Sequence, residues 1–480
     1  MKENALSHQG DPVVRTPAGA VRGVRDAAGE LYRAIPYAQA PAGAGRFREP
    51  APHPGWSGVR DGTRPGPTAP QPTRDFGRLD LTPFFGPGWV RGTDHLTVDV
   101  RTPAADGGER PVMVFVHGGG FVTGSTRAAL YDGRAFARDG VVLVTVGYRL
   151  GIPGFLALDG APDNRGLLDV LAALRWVRDT IPLFGGDPGA VTVFGQSAGA
   201  TLVGALLADP RARGLFRRAI VQSGSGTGAF TPEQARRVTT AAATALSVDG
   251  TSDAFADIPD ERFLEVLPAL SGVDLRTDTA TDPLVGLSPF GLVLPAQPAD
   301  SLAAGPAAEV DLLIGTNTEE GNLYLVPQGA FERSTDADVL AVAAATHPDP
   351  HAAVEALRAS RPAATAGELR SALLGEALFG AGSARLADAH ARLADGRTHV
   401  YSFAHRSTAL GGRLGAAHTV ELPFVFDLAD EPSLHGDTGL LGPDPAPAGL
   451  AEHVHGAWIG FARTGEPGWA PHPEVHRFGS

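Results

Sequence analysis

Two short stretches of this chain combine residue types that can attack a carbonyl carbon and hold the charge that results. The first is Gly195-Gln196-Ser197-Ala198-Gly199, set between the apolar run Val191–Phe194 and the small-residue segment Ala198–Ala208. A nucleophilic serine must project from a tight, strained strand-to-helix turn, and side chains flanking it would clash, so glycine is required on both sides. The helix that follows directs its first N–H groups toward the same point. The second stretch is His117-Gly118-Gly119-Gly120-Phe121, at the end of the apolar run Val112–Val116. Backbone N–H groups that stabilise an oxyanion must come within hydrogen-bond distance of the substrate oxygen, and a Cβ there would obstruct them. Strand, glycine triplet, then strand, Gly-x-Ser-x-Gly and helix, in that chain order, predict acyl transfer through a serine.

Such a serine needs a base and an acid. In this fold they follow the serine along the chain, in the order nucleophile, acid, base. The chain has 15 histidines, and His117 is a rival base whose place beside the glycine triplet reads as loop support. No metal or other cofactor is expected. There is no cysteine and no His-Glu-x-x-His, and His453 and His455, two residues apart on the last helix, point to different faces.

The elements that must position these residues are legible as an alternation. Continuous apolar runs at 112–116 and 141–146, with further strand-like segments at 97–100, 191–194, 219–222, 310–314 and 400–403, read as strands, several of them buried on both faces. Helical spacing at 167–180, 198–208 and 451–464 lies between and after them. Strands alternating with helices predict an α/β fold with a central, mostly parallel sheet flanked by helices. Residues 13–59 read as short strands and turns, 61–92 as a Pro- and Gly-rich flap-like loop, 231–285 and 335–396 as helical insertions, and 1–12 as a flexible tail, all within one domain.

Composition excludes several classes. Forty Lys and Arg against 53 Asp and Glu leave a net charge of −13, which argues against sequence-independent nucleic-acid binding. No apolar run is long enough to span a membrane. The N-terminus is polar and lacks the apolar stretch of a secretory signal, so a cytoplasmic location is expected. A monomer or homodimer is expected.

Beyond these residues the chain resembles the type-B carboxylesterases, the family of the bacterial para-nitrobenzyl esterases and the cholinesterases. The resemblance runs from about Val13 to Pro467. It is carried by R-A-I-P-Y-A-Q-A-P-A-G-A-G-R-F at 33–47, P-V-M-V-F-V-H-G-G-G-F at 111–121, Y-D-G at 131–133 and Y-R-L-G-I-P-G-F-L at 148–156. Further strings are F-G-G-D-P-G-A-V-T-V-F-G-Q-S-A-G at 184–199, R-R-A-I-V-Q-S-G at 217–224, L-I-G-T-N-T-E-E-G at 313–321 and H-T-V-E-L-P-F-V-F at 418–426. It implies an α/β-hydrolase fold with helical insertions over the active site, and a Ser–Glu–His triad at Ser197, Glu320 and His418. Glu320 is the Glu just before Gly, and Glu319 is the neighbour to exclude. Oxyanion donors would be the N–H groups of Gly119, Gly120 and Ala198. Ser223 matches a family serine near the acid; support of Glu320 and capping of a strand end are both open to it. Gln196, Phe121, Phe290 and Phe379 are candidate pocket residues.

The chain departs from the family in places. Gln196 replaces the common acidic residue before the nucleophile, which removes a negative charge beside Ser197 and predicts weaker attraction for cationic esters. A frequent disulfide is absent, its sites being Ala69 and His95, which predicts a looser loop between them, and Trp89 does not match the choline-stacking Trp in offset. The resemblance implies hydrolysis of small-molecule carboxylic esters. Amide or lactone cleavage on the same residues is the alternative, and a non-enzymatic binding role, known among relatives that lose a triad member, is the third.

Overall fold

Parallel strands at the centre of an α/β sheet have no face to give to water, and their sequence shows it. In the computed structural model, which describes residues 10–393 and 397–479, every residue from Val112 to Val116 and from Val142 to Val146 is buried. The main sheet has ten strands: β1 Val24–Asp26, β2 Gly29–Pro36, β3 Thr97–Thr102, β4 Arg110–Val116, β5 Val142–Val146, β6 Gly186–Gln196, β7 Arg218–Gln222, β8 Asp311–Asn317, β9 Thr398–Phe403 and β10 Val475–Phe478. Their spatial order is β10-β9-β8-β7-β6-β4-β5-β3-β2-β1. From β10 to β5 all pairs are parallel. The three pairs at the β1 end are antiparallel. A separate three-stranded sheet is formed by Val13–Thr16, Gly19–Arg22 and Val59–Asp61.

The main helices are α1 Arg165–Thr180, α2 Ala198–Ala208, α3 Pro232–Leu246, α4 Asp336–Thr346, α5 Ala366–Gly375, α6 Ala381–Leu393 and α7 Leu450–Thr464, with further helices between them, among them Asp260–Leu270 and Pro350–Ser360. One apolar core packs α1 and α2 against one side of the sheet, and a second, with Phe115, Phe194, Phe426, Trp458 and Phe461, fills the other. The glycines of the elbow allow close approach: a Cβ on Gly199 would stand 2.0 Å from the carbonyl oxygen of Val116, so α2 can sit directly on the end of β4.

Two sequence expectations need correction. β6 starts at Gly186, ahead of the apolar run, because Gly186 pairs with Arg110 of β4 across a register shift. The insertion 231–285 is helical only in α3, Ser252–Ala256 and Asp260–Leu270. From 271 onward side chains bind the backbone locally, with the Asp282 carboxylate accepting from the N–H groups of Leu284 and Gly286, and that competes with helix. The segment 61–92 carries the short helix Thr82–Phe85 and is pinned by Gln71, whose Oε1 accepts from Thr123 Oγ1 at 2.7 Å and from the Gly124 N–H at 2.9 Å. The expected tail lies, for residues 1–9, outside the described residues, as do residues 394–396 of the second insertion.

Candidate active site

β6 ends at Gln196 and α2 begins at Ala198, leaving Ser197 as the turn between them with φ +59° and ψ −125°. A non-glycine residue in that region is strained, and strain of this kind persists only where the surroundings over-determine it. Here the Ser197 N–H is held by the carbonyl of Gln222 at the end of β7, 2.9 Å away. The serine therefore stands at the carboxyl edge of the sheet, in the wall of a cavity of about 120 Å³.

Glu320 follows β8 at the same edge. Its Oε2 lies 2.6 Å from His418 Nδ1, and both residues are buried. Its Oε1 accepts from Ser223 Oγ at 2.5 Å and from the Asn317 N–H at 2.7 Å. Asn317 Nδ2 also donates to the Ala417 carbonyl at 2.7 Å, which ties the loop before His418 to the same strand end. Glu319 turns away: it pairs with Arg406 and accepts from the Ala416 N–H. His418 is clamped by Phe379, stacked on it at 4.2 Å and 9°, and faces Tyr324 at 5.9 Å. Phe379 is carried on a π-helical turn, Glu376–Gly380, inserted between α5 and α6. Such turns re-aim side chains and are frequent at functional sites.

On the far side of the imidazole, Gln196 Nε2 lies 3.2 Å from His418 Nε2. With Nδ1–H directed at Glu320, Nε2 carries the lone pair and the Gln196 amide is its donor. Among the described residues Ser197 Oγ makes no hydrogen bond to Nε2, a contact that in free enzymes often tightens only when substrate arrives. Gln196 Oε1 has no partner.

Gly119 and Gly120 have φ of +115° and +63° and line the cavity with Ala198. A Cβ on Gly119 would meet the Thr123 carbonyl at 2.0 Å, so only glycine makes this turn. Among the described residues neither glycine N–H meets an acceptor, and the Ala198 N–H belongs to the unpaired first turn of α2. His117 is buried under this loop with Nδ1 2.8 Å from the Gly118 carbonyl and its ring stacked on Tyr148. Burial pulls its pKa down to about 4, so it is neutral and structural.

The remaining wall is mostly apolar: Phe76, Phe84 and Phe85 from the 61–92 loop, Leu284 and Leu287, Leu323 and Tyr324, with Phe121, Leu378 and Phe379, and its polar members are Arg74, Thr201, Ser225, Ser288 and Thr419. Phe121 and Phe379 are thus pocket residues. Phe290 is not; it is 1% exposed and packs in the core behind Ser288. Gln196 is fully buried and touches the histidine, not the cavity. Sequence reasoning passed over Arg74, Tyr324 and Glu421. Arg74 and Tyr324 reach the site from remote segments. Glu421, three residues after His418, is buried behind the acid, where Asn317 Nδ2 donates to it at 2.7 Å. Desolvation and the nearby Glu320 carboxylate raise its pKa to about 7. A larger cleft, about 1010 Å³ between α3 and the 157–163 segment, has no histidine among the described residues that line it. Among the described residues there is no cluster of His, Cys, Asp and Glu that could hold a metal, and no helix long and apolar enough to cross a membrane.

Comparison with known proteins gives the family. The family model described as the Carboxylesterase family matches residues 10–476. A phenmedipham hydrolase of Pseudarthrobacter oxydans is 35% identical, the match covering 95% of this chain and 90% of that protein. A para-nitrobenzyl esterase of Bacillus subtilis is 34% identical over 96% and 91%. A crystal structure of a Geobacillus stearothermophilus carboxylesterase superposes with a TM-score of 0.81 at 34% identity, covering 97% of this chain and 93% of that one. A serine on the elbow of a mostly parallel sheet, a carboxylate–histidine pair beside it and a match over nearly the whole length lead to one conclusion: the chain belongs to the carboxylesterase family, a carboxylic ester hydrolase with the α/β-hydrolase fold.

Proposed function

We propose that this enzyme hydrolyses small carboxylic esters by a two-step acyl transfer on Ser197, with His418 as base and Glu320 as the acid that orients it. The reading rests above all on the 2.6 Å contact between Glu320 Oε2 and His418 Nδ1 in the wall of the cavity that Ser197 faces. That contact fixes the tautomer in which Nε2 carries the lone pair, which the Gln196 amide must yield for Nε2 to accept the serine proton. Ser197 Oγ attacks the ester carbonyl as its proton passes to Nε2, and Glu320 stabilises the imidazolium. The N–H groups of Gly119, Gly120 and Ala198 receive the oxyanion; the loss of one such donor costs roughly 100- to 1000-fold in rate elsewhere. The imidazolium then protonates the leaving alcohol, and water, deprotonated in turn by Nε2, releases the acid from Ser197. Ser223 supports Glu320 from the oxygen that His418 does not use.

The cavity of about 120 Å³ is smaller than the roughly 300–1,000 Å³ usual for drug-sized ligands, which suits short acyl groups. The test is hydrolysis of p-nitrophenyl acetate, butyrate and octanoate by the wild type and by Ser197→Ala. Turnover should fall by about four orders of magnitude or more in the variant, and the short esters should outrun octanoate. Undiminished activity in Ser197→Ala overturns the assignment. A folded wild type inert on all three esters favours a binding role instead.

A further inference from the structure

Among the described residues, the lining of the cavity at Ser197 contains one permanently charged side chain, Arg74, and no Asp or Glu. Its guanidinium hangs over the oxyanion loop. A Cβ on Gly120 would lie 3.5 Å from Nη2 and 3.9 Å from Nη1. Among the described residues no carboxylate stands within 4.0 Å of Arg74 and no acceptor takes a hydrogen bond from it. Arg74 is half-buried, and the arginines buried more deeply have protein partners. Arg149 holds Asp169 through Nε and Nη2, Arg165 donates to the carbonyls of Pro153, Pro162, Ile152 and Leu156, and Arg218 meets Asp311 and the Ala462 carbonyl. Withdrawing a cation from water without a partner is unfavourable, and burial does push the Arg74 guanidinium below its ordinary pKa.

We propose that Arg74 is a substrate-recognition residue that pairs with a free carboxylate on the ester, so that this enzyme prefers anionic esters to their neutral isosteres. The inference rests on the Ser197 reading above. Its chemistry follows from the surroundings. A guanidinium presents a planar fork matched to the two oxygens of a carboxylate. The phenylalanines that wall the cavity lower the local dielectric and strengthen the pair. Gln196, neutral where an acid is common in the family, leaves no negative charge beside Ser197 to repel such a substrate. Tyr324 adds a second donor on the same cavity wall.

The test compares matched esters on the full-length enzyme. Monomethyl adipate against methyl hexanoate puts the carboxylate on the acyl side, and 4-acetoxybenzoate against 4-acetoxybenzamide puts it on the alcohol side. The readout is the ratio of kcat/KM within each pair, which cancels differences in the amount of folded enzyme. The wild type should favour the anionic member of at least one pair. Arg74→Met should lower that ratio by about tenfold or more, mainly through KM, and Arg74→Lys should restore part of it. Added salt should erode the wild-type preference. Wild-type ratios at or below one on both pairs overturn the proposal, as does a ratio unchanged in Arg74→Met. Because the neutral esters report the Ser197 reading alone, their hydrolysis without anionic preference removes only the role of Arg74. An enzyme inert on all four removes the reading beneath it as well.

Discussion

Ser223 donates to Glu320 on the oxygen opposite the one that meets His418, 2.5 Å on one side and 2.6 Å on the other. The carboxylate is thereby held at both ends, with the Asn317 N–H as a third anchor. A buried carboxylate with this many donors stays in place and stays ready to stabilise an imidazolium.

This arrangement separates two effects of mutation. Glu320→Gln keeps the shape but allows the amide to present N–H to Nδ1, which favours the wrong tautomer, and kcat should fall by about four orders of magnitude. Ser223→Ala removes one charged hydrogen bond worth about 2 kcal/mol, so kcat should fall roughly ten- to thirtyfold with KM little changed. Steady-state kinetics on p-nitrophenyl butyrate distinguishes them. Equal losses in the two variants would mean that Ser223, not the carboxylate charge, carries the orientation.

Gln196 sits 3.2 Å from His418 Nε2, the nitrogen that takes the serine proton in the mechanism proposed above. Gln196→Glu would place a buried carboxylate there, and a neighbouring negative charge favours the protonated imidazole. The base would then be lost at a higher pH on the way down, so the acidic limb of the kcat/KM profile should move up by about one unit. A cationic ester should gain relative to a neutral one. A pH–rate profile of wild type and variant checks both the direction and the size, and a profile that stays put would show that Gln196 does not face the reacting nitrogen in the working enzyme.

Glu421 is fully buried, with Glu320, His418, Asn317, Gln222 and Tyr401 as its polar surroundings. Its pKa is raised from 4.5 to about 7 by desolvation and by Glu320. A carboxyl raised in the folded state favours folding while it keeps its proton; that contribution is whole below about 4.5 and is lost as pH rises through about 7. Glu421→Gln cannot ionise and escapes the loss. The stability of the variant minus that of the wild type should therefore grow between pH 5 and pH 8, by at most about 3 kcal/mol. Urea unfolding at the two pH values measures it, and a difference that shrinks over this interval would reverse the sign argued for Glu421.

Much of the site is local and could be read before folding. The elbow at Ser197, the glycine triplet and the helix Ala198–Ala208 are each written into a few consecutive residues, because a strained turn, a close backbone approach and a small-residue helix restrict residue type wherever they occur. The irregular stretch after Leu270 escaped, since its composition permits helix and only local side-chain hydrogen bonds decide against it.

What the chain alone determined, then, is a set of parts and their order: the glycine triplet and then the serine elbow, each at the end of an apolar strand, with the proposed acid and base further on. The tertiary structure decided which neighbours those parts have. It turned Glu319 to Arg406 and Glu320 to His418, drew Phe290 into the core, and brought Arg74 and Tyr324 from segments some 250 residues apart to one cavity. Contacts of that kind are set by how sheet and insertions pack, a long-range property with no local spacing to betray it, and they govern which ester reaches Ser197.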